Sequence, residues 1–240
     1  MIHENNRPLI IAHRGARDLA PENTIKACQL ALENGSNALE LDIRLCKSGE
    51  LVLYHDAFLY KHFGEMRPFA GATLDHLRTL EFNKRHYQYP AGINTLEELL
   101  EEFKNKIPIN LEAKILFQDK RRFIEQLVKL IDKFNLKDQV WISSFNPTFL
   151  KALKSYTKKV KTGLLFRHLS TLYKSLDHVL LSDAWHPHFS LCTKGFIKSA
   201  RKLNKEIYLW TLKKERDLKN VPLQHVQGII TDMYDHKFEK

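Results

Sequence analysis

The sequence predicts an α/β protein built as a TIM-type (β/α)8 barrel, and three observations carry that expectation. Eight short apolar runs alternate with helical stretches along the 240 residues, the count such a barrel needs. Two of those runs set polar or charged residues, carboxylates among them, at every second position. One long segment, residues 57–92, interrupts the alternation after the second run and reads as an insertion. A single domain over residues 1–240 is expected, within the size range of α/β barrels.

The strand candidates are Leu9–His13, Ala38–Ile43, Ile107–Glu112, Val140–Ser143, Val160–Leu165, Val179–Ser182, Ile207–Trp210 and Gly228–Thr231. Short apolar runs between helices are how buried parallel strands read. Helical periodicity follows most of them, most clearly over Glu22–Asn34, Leu96–Phe103, Lys120–Phe134, Pro147–Tyr156 and Lys194–Leu203. Weaker helical signals cover Ser170–Lys174 and Glu215–Asn220. Pro21 is expected near the first helical position, with the helix N-terminus favouring an anion at the barrel rim. Leu51–Asp56 follows the second strand too closely for a parallel crossover, so it reads as an antiparallel return turning near Ser48-Gly49. With the turn there, His55 is expected opposite Asp42. The insertion carries Tyr60, Phe63, Phe69, Phe82, Tyr87 and Tyr89, with a short helix around Leu74–Leu80.

Side chains alternate faces along a strand. Glu40, Asp42 and Arg44 therefore share one side of the second strand, and Asn110, Glu112 and Lys114 one side of the third. Leu39, Leu41, Ile43, Ile109, Leu111 and Ala113 occupy the other sides and are expected to face helices. The polar sides then point inward, where an uncompensated carboxylate is costly. Three convergent carboxylates suit one hard divalent cation, Ca2+ or Mg2+, which takes oxygen ligands. The same alternation would also fit a sheet with one wet face, and the remaining strand ends decide between the two. Barrel sites lie at the C-terminal ends of strands, and those ends collect His13-Arg14-Gly15, Ser143-Ser144-Phe145, Trp210-Thr211 and Thr231-Asp232. A lone histidine is ordinarily structural, and a lone tryptophan ordinarily packs. Two histidines, three carboxylates, an arginine and a lysine at one rim suit cleavage of an anionic ester. A divalent ion can polarise a phosphoryl oxygen, Arg14 and Lys114 can hold negative charge, and paired histidines can move protons near neutral pH.

Composition limits the setting. The formal net charge is +10, but the lysines fall mainly on helix faces opposite apolar residues, as over 151–161. No nucleic-acid motif accompanies them, so a small anionic partner is expected and no nucleic acid. No apolar run approaches the ~20 residues of a spanning helix, and stable membrane association is not expected. Residues 1–8 are polar, and Leu9–Ala12 is too short for a secretory signal. Three scattered cysteines, Cys28, Cys46 and Cys192, argue against a disulfide framework and for a reducing, cytoplasmic location.

Taken in order, Ile11-Ala12-His13-Arg14-Gly15, Pro21-Glu22-Asn23-Thr24, Glu40-Leu41-Asp42, His55-Asp56, Asn110-Leu111-Glu112-Ala113-Lys114, Ser143-Ser144-Phe145, Trp210-Thr211-Leu212 and Gly228-Ile229-Ile230-Thr231-Asp232 resemble the glycerophosphodiester phosphodiesterase family. The resemblance runs from Leu9 to about Asp235. It implies a TIM barrel with a small insertion after the histidine–aspartate pair, where residues 57–92 lie. It implies His13 and His55 as the acid–base pair, and Glu40, Asp42 and Glu112 as ligands of the divalent ion. Arg14 and Lys114 are then similar to phosphate contacts, Trp210 to part of the substrate wall, and Glu22 to a residue that orients the site. His62, His76 and His86 are read as lying outside the machinery. Departures occur at Lys213 and Tyr234, where Asn and Pro are usual, at Asn94 before Thr95, and over Leu59–Gly64. None removes a candidate catalytic or metal residue, and they bear on the alcohol accepted.

The implied reaction is hydrolysis of glycerophosphodiesters of the choline or ethanolamine type to sn-glycerol 3-phosphate and an alcohol. Two rivals remain at this point. One keeps the barrel and the ion but acts on intact lysophospholipids, as lysophospholipase D-type enzymes do. The other is a non-catalytic binding protein on the same fold. The oligomeric state is not encoded in these patterns.

Overall fold

Eight parallel strands close on themselves in the computed structural model, which describes residues 7–83, 87–116, 119–168, 182–219 and 221–233. The strands are β1 (Leu9–His13), β2 (Ala38–Leu45), β4 (Ile109–Ala113), β5 (Val140–Ser144), β6 (Lys161–Phe166), β7 (Ala184–Pro187), β8 (Glu206–Leu212) and β9 (Gly228–Thr231). β1 pairs with both β2 and β9, which closes the barrel, while β3 (Leu51–Leu53) lies outside it, antiparallel to β2. Helices α1 (Ile25–Glu33), α4 (Leu96–Phe103), α5 (Lys120–Phe134), α6 (Pro147–Tyr156) and α7 (Lys194–Lys202) surround the strands. The short α2 (Tyr60–Phe63) and α3 (Leu74–Arg78) belong to the insertion.

The predicted alternation holds in β2 and β4. Leu39, Leu41, Ile43, Ile109 and Leu111 are fully buried in one large cluster with the helices. The opposite, inward faces change character along the barrel. Leu9, Ile11, Ala38, Trp141, Ala184, Tyr208 and Ile230 pack together toward the N-terminal ends. Toward the C-terminal ends the parallel register sets His13 beside Glu40 and Glu40 beside Asn110, then Asp42 beside Glu112 and Glu112 beside Ser143.

Three local expectations are corrected. α1 starts at Ile25 with Thr24 as its N-cap, so Pro21 lies in the preceding loop. Asn23 there has a φ of 60°, a left-handed conformation that a helix cannot include and that Asn tolerates better than most residues. The first N–H groups are taken by side chains, Ile25 by Asn94 Oδ1 and Ala27 by Thr24 Oγ1. The hairpin does turn at Ser48-Gly49, with Gly49 at a φ of 111°. Its register, however, pairs Ile43 with Leu53, which sets Tyr54, not His55, beside Asp42; the Tyr54 N–H donates to the Asp42 carbonyl at 3.0 Å. Finally, the strand expected at Val179–Ser182 is instead Ala184–Pro187. Of the expected run only Ser182 is described, and it precedes the strand; Ser170–Lys174 also lies outside the described residues. A run of Ala, Trp, His and Pro lacks the aliphatic signature of a buried strand, and its last residue is Pro187.

His186 of that strand fills the barrel interior. It is fully buried, its ring lies tilted at 33° to that of Tyr208 with centroids 4.9 Å apart, and neither ring nitrogen has a hydrogen-bond partner. A Cβ at Gly163 would fall 2.4 Å from its Nε2, so a glycine there is what admits the ring.

Burial pushes the His186 imidazole down to about 3 from 6.5. Below pH 6.5 the unfolded chain therefore takes up a proton that the native state refuses. Native stability should fall as pH drops through this window, by up to ~1.4 kcal/mol per unit from this group. Urea unfolding between pH 7 and 5 should show a shallower pH dependence in His186→Leu than in the wild type. Equal slopes would contradict the neutral, desolvated imidazole.

Candidate active site

The inward-facing polar residues meet at the C-terminal mouth of the barrel. His13, Arg14, Arg17, Glu40, His55, Asn110, Glu112, Lys114, Ser143, Phe145, Leu165, Trp210, Thr211, Lys213 and Ile230 line a cavity of about 330 Å³. Larger crevices of about 710 and 760 Å³ lie on other parts of the surface, and neither gathers this set of histidines and buried carboxylates.

Oxygens of Glu40, Asp42 and Glu112 fall within 4.8 Å of one another. All three residues are buried. Glu40 Oε2 has no hydrogen-bond partner. Asp42 Oδ1 and Glu112 Oε1 also lack a hydrogen bond, although Lys114 Nζ lies 3.1 and 2.5 Å from them as an ion-pair partner. Arg14 Nε lies 3.0 Å from Asp42 Oδ2. Asn23 binds Asp42 twice, its Nδ2 donating to Oδ2 at 3.0 Å and its Oδ1 accepting from the backbone N–H at 2.9 Å. Two cations thus face three carboxylates, and most of their effect goes to Asp42. Burial opposes its ionisation, but Lys114, Arg14 and His55, with the Asn23 hydrogen bond, hold its carboxyl below the usual range. Burial, Asp42 and Glu112 push the Glu40 carboxyl well up despite Arg14 and Lys114. Burial and Asp42 also raise Glu112, against Lys114. A buried, all-oxygen, under-neutralised set is what a hard divalent cation fits.

The two histidines share one arrangement. His13 Nδ1 lies 2.6 Å from Asp232 Oδ1, and His55 Nδ1 lies 2.8 Å from Asp56 Oδ1. A carboxylate on Nδ1 fixes the tautomer and leaves Nε2 for chemistry. Burial lowers the His13 pKa, outweighing the hydrogen bond with Asp232. His55 reaches the cavity although the ladder register differs from expectation. β3 ends at Leu53, so the strict alternation no longer binds His55, and Arg44 grips its carbonyl from Nε at 3.0 Å and from an Nη at 2.7 Å.

Arg14 and Glu22 form a pair at 2.9 Å, and Arg17 Nη2 reaches Glu22 Oε2 at 3.4 Å. Glu22 is buried and is not among the lining residues; it touches Arg14 rather than the cavity. Arg14 has a φ of 63° and Gly15 a φ of 76°. The left-handed conformation costs a non-glycine residue roughly 1 kcal/mol or more, and here it turns the chain at the barrel rim. At Gly15 no side chain fits, since a Cβ would lie 2.6 Å from the Ala27 carbonyl carbon. Trp210 sits in a register shift between β8 and β9, its Nε1 donating to the His186 carbonyl at 2.7 Å. Phe145 and His188 meet its ring edge-on at 5.4 and 5.3 Å.

The candidate site residues His13, Arg14, Glu22, Glu40, Asp42, His55, Glu112, Lys114 and Trp210 all lie at or beside this mouth. Asn23, Asp56 and Asp232 stand within the sequence motifs without a part of their own there. The signal available for the two aspartates is position: one follows a histidine, and the other follows the strand beside β1.

The family model for the glycerophosphoryl diester phosphodiesterase family matches residues 13–236. A glycerophosphodiester phosphodiesterase of Caldanaerobacter subterraneus subsp. tengcongensis is 31% identical over 231 residues, 94% of each chain. The crystal structure of the glycerophosphodiester phosphodiesterase from Thermotoga maritima superposes with a TM-score of 0.79 at 24% identity, covering 100% of this chain and 99% of that one. An Oleispira antarctica phosphodiesterase, solved with its product sn-glycerol-3-phosphate, gives 0.84 at 22% identity, covering 97% and 96%. The barrel of these structures is the barrel described above, and the match over nearly the whole sequence shows that the chain belongs to the glycerophosphoryl diester phosphodiesterase family.

Proposed function

We propose that this phosphoric diester hydrolase cleaves small glycerophosphodiesters, of the glycerophosphocholine or glycerophosphoethanolamine type, to sn-glycerol 3-phosphate and an alcohol. The observation that carries the reading is the meeting, at one barrel mouth, of two carboxylate-pinned histidines with a buried set of three carboxylates that is under-neutralised as a whole. A non-catalytic binder has no use for a pair of histidines held this way. The Oleispira antarctica phosphodiesterase, which shares the fold, was solved with sn-glycerol-3-phosphate as its product.

Glu40, Asp42 and Glu112 would hold one Ca2+ or Mg2+, which when bound supplies Lewis-acid polarisation of a phosphoryl oxygen. Arg14 and Lys114 contribute fixed positive charge toward the phosphate, Arg14 being aimed by Glu22. One histidine takes a proton from the attacking hydroxyl at its Nε2, and the other gives one to the leaving oxygen. The attacking group is the glycerol 2-hydroxyl, with water then opening the cyclic phosphate in reversed roles, or water directly; both use the same two nitrogens. Trp210, with Phe145 and His188 against it, forms a wall for the substrate.

A soluble diester is favoured over a lysophospholipid by the insertion. Phe69 and Phe82 are buried with Tyr54, Leu59 and Leu77 in a cluster of their own, and Phe63 packs on it. The exposed Phe58, Tyr60 and Met66 are interspersed with Lys61, Glu65 and Arg67, not joined into an apolar face of the kind a membrane surface needs. No helix among the described residues is long and apolar enough to cross a membrane. The free Cys28, Cys46 and Cys192 support a cytoplasmic location.

Activity on glycerophosphocholine should vanish on exhaustive chelation and return with Ca2+ or Mg2+; full activity without either ion would overturn the metal assignment. His13→Ala and His55→Ala should each lower kcat by ~10²–10⁴ with the fold retained, and each should lose one limb of the pH–rate profile. Retention of near-normal turnover by either variant would remove that histidine from the mechanism. In a substrate panel, kcat/KM should be higher for glycerophosphocholine or glycerophosphoethanolamine than for lysophosphatidylcholine. A preference for the lysolipid would move the function to the lysophospholipase D class.

A further inference from the structure

The insertion sends one buried titratable side chain toward the mouth of the barrel. His62 on α2 is 9% exposed, far less than a histidine idle on a surface helix. Its Nε2 lies 3.3 Å from Asp56 Oδ2 and 3.5 Å from Glu22 Oε1. Both carboxylates also serve the site, Asp56 Oδ1 holding His55 Nδ1 at 2.8 Å and Glu22 Oε1 holding Arg14 at 2.9 Å. The imidazole therefore joins the partner of one site residue to the partner of another.

Ligand atoms of Glu22, His55 and Asp56 fall within 4.8 Å of one another. Two carboxylates this close repel unless a cation lies between them. A metal ion is a poor candidate, because Arg14, Arg17 and Lys61 already crowd these oxygens. Lys61 Nζ reaches Asp56 at 3.3 Å and Glu22 at 3.7 Å, but its side chain is 55% exposed and screened by solvent. His62 is the shielded group between them, at ion-pair distance from both carboxylates and beside an Asp56 Oδ2 that accepts no hydrogen bond. Tyr54 and Phe82 meet its ring edge-on at 5.7 and 5.8 Å, and Phe63 lies tilted at 6.3 Å, so its rotamer is fixed from three sides. The groups that set its charge are Asp56, Glu22 and Lys61, with Arg14 and Arg17 beyond Glu22 and the Tyr54 hydroxyl turned to the Phe58 carbonyl. Burial works against the proton, while Asp56 and Glu22 outweigh it and raise the pKa above 6.5.

We propose that His62 is a positioning residue for the reaction: clamped as a cation between Asp56 and Glu22, it holds Asp56 on His55 and Glu22 on Arg14. The inference rests on the reading that His55 moves a proton during phosphodiester cleavage. It departs from the sequence reading, which leaves the insertion's histidines outside the machinery; of the others, His76 pairs with Glu65 at 2.8 Å, and His86 lies outside the described residues.

The test combines kinetics with the charge state of the wild-type side chain. With glycerophosphocholine as substrate, kcat, KM and the pH profile are measured for wild type, His62→Gln, Asp56→Asn and the double variant. His62→Gln should lower kcat about tenfold, the scale of a lost outer partner, with KM within about twofold, and should displace one limb of the pH profile. In the Asp56→Asn background the same change should cost nothing further, because His62 acts through Asp56. Nitrogen chemical shifts of the wild-type imidazole should show it more than half protonated at pH 6.5, a readout that needs no variant to fold. Wild-type kcat in His62→Gln, losses that simply multiply, or a neutral His62 at pH 6.5 would each overturn the inference. An inactive wild type, or an active His55→Ala, would instead sink the functional reading on which it stands.

Discussion

The site depends on a deficit of positive charge at the barrel mouth. The pleat of β2 and β4 turns Glu40, Asp42 and Glu112 inward because their neighbours are needed outside, against the helices. Arg14 and Lys114 neutralise Asp42 well and Glu40 poorly, leaving Glu40 Oε2 buried without a hydrogen bond. Such an atom costs free energy in the folded protein. A chain shaped for stability alone would have an apolar residue there, as it has at Ile11 and Ala38 deeper in the same interior. A divalent cation held by these residues would remove the deficit and, on the proposed reading, would supply Lewis-acid polarisation of a phosphoryl oxygen.

The other features of the mouth hold this arrangement in place. Asn23 and Arg14 both adopt left-handed backbone, and both touch Asp42. The strain is the cost of bringing an amide and a guanidinium to one buried carboxylate from the loop between β1 and α1. Asp232 and Asp56 give the two histidines the same restraint from different elements, the end of β9 and the segment after β3. The hydrogen bonds at Nδ1 leave the Nε2 of each imidazole without a carboxylate partner, as the proposed acid–base pair requires. The insertion has its own small core, and through His62 it bears on the outer partners of the site.

The barrel and the carboxylate set are legible in the sequence because their signal is periodic. Alternation in Ala38–Ile43 and Ile109–Ala113 states which face is polar, and a parallel barrel leaves only the inside for it. Where a single residue of register decides the outcome, periodicity falls silent. The hairpin pairs Ile43 with Leu53, and His55 reaches the site only because the ladder has ended and Arg44 holds its carbonyl. The start of α1 is not legible because Asn23 is recruited by Asp42, a tertiary demand that overrides the local preference for helix. The strand Ala184–Pro187 escapes the pattern because its inward residue is a histidine matched to a glycine across the sheet, a complementarity visible only in three dimensions. His62 reads as lying outside the machinery for the same reason: nothing local announces that Asp56 and Glu22 converge on it.

Equilibrium dialysis against Ca2+, and separately against Mg2+, tests the charge deficit most directly, without reference to any substrate. One ion should bind per wild-type chain, and that binding should be lost in Glu40→Gln with the variant still folded by circular dichroism. Absence of binding by the wild type, or binding by Glu40→Gln as tight as the wild type's, would contradict the deficit as the basis of the site.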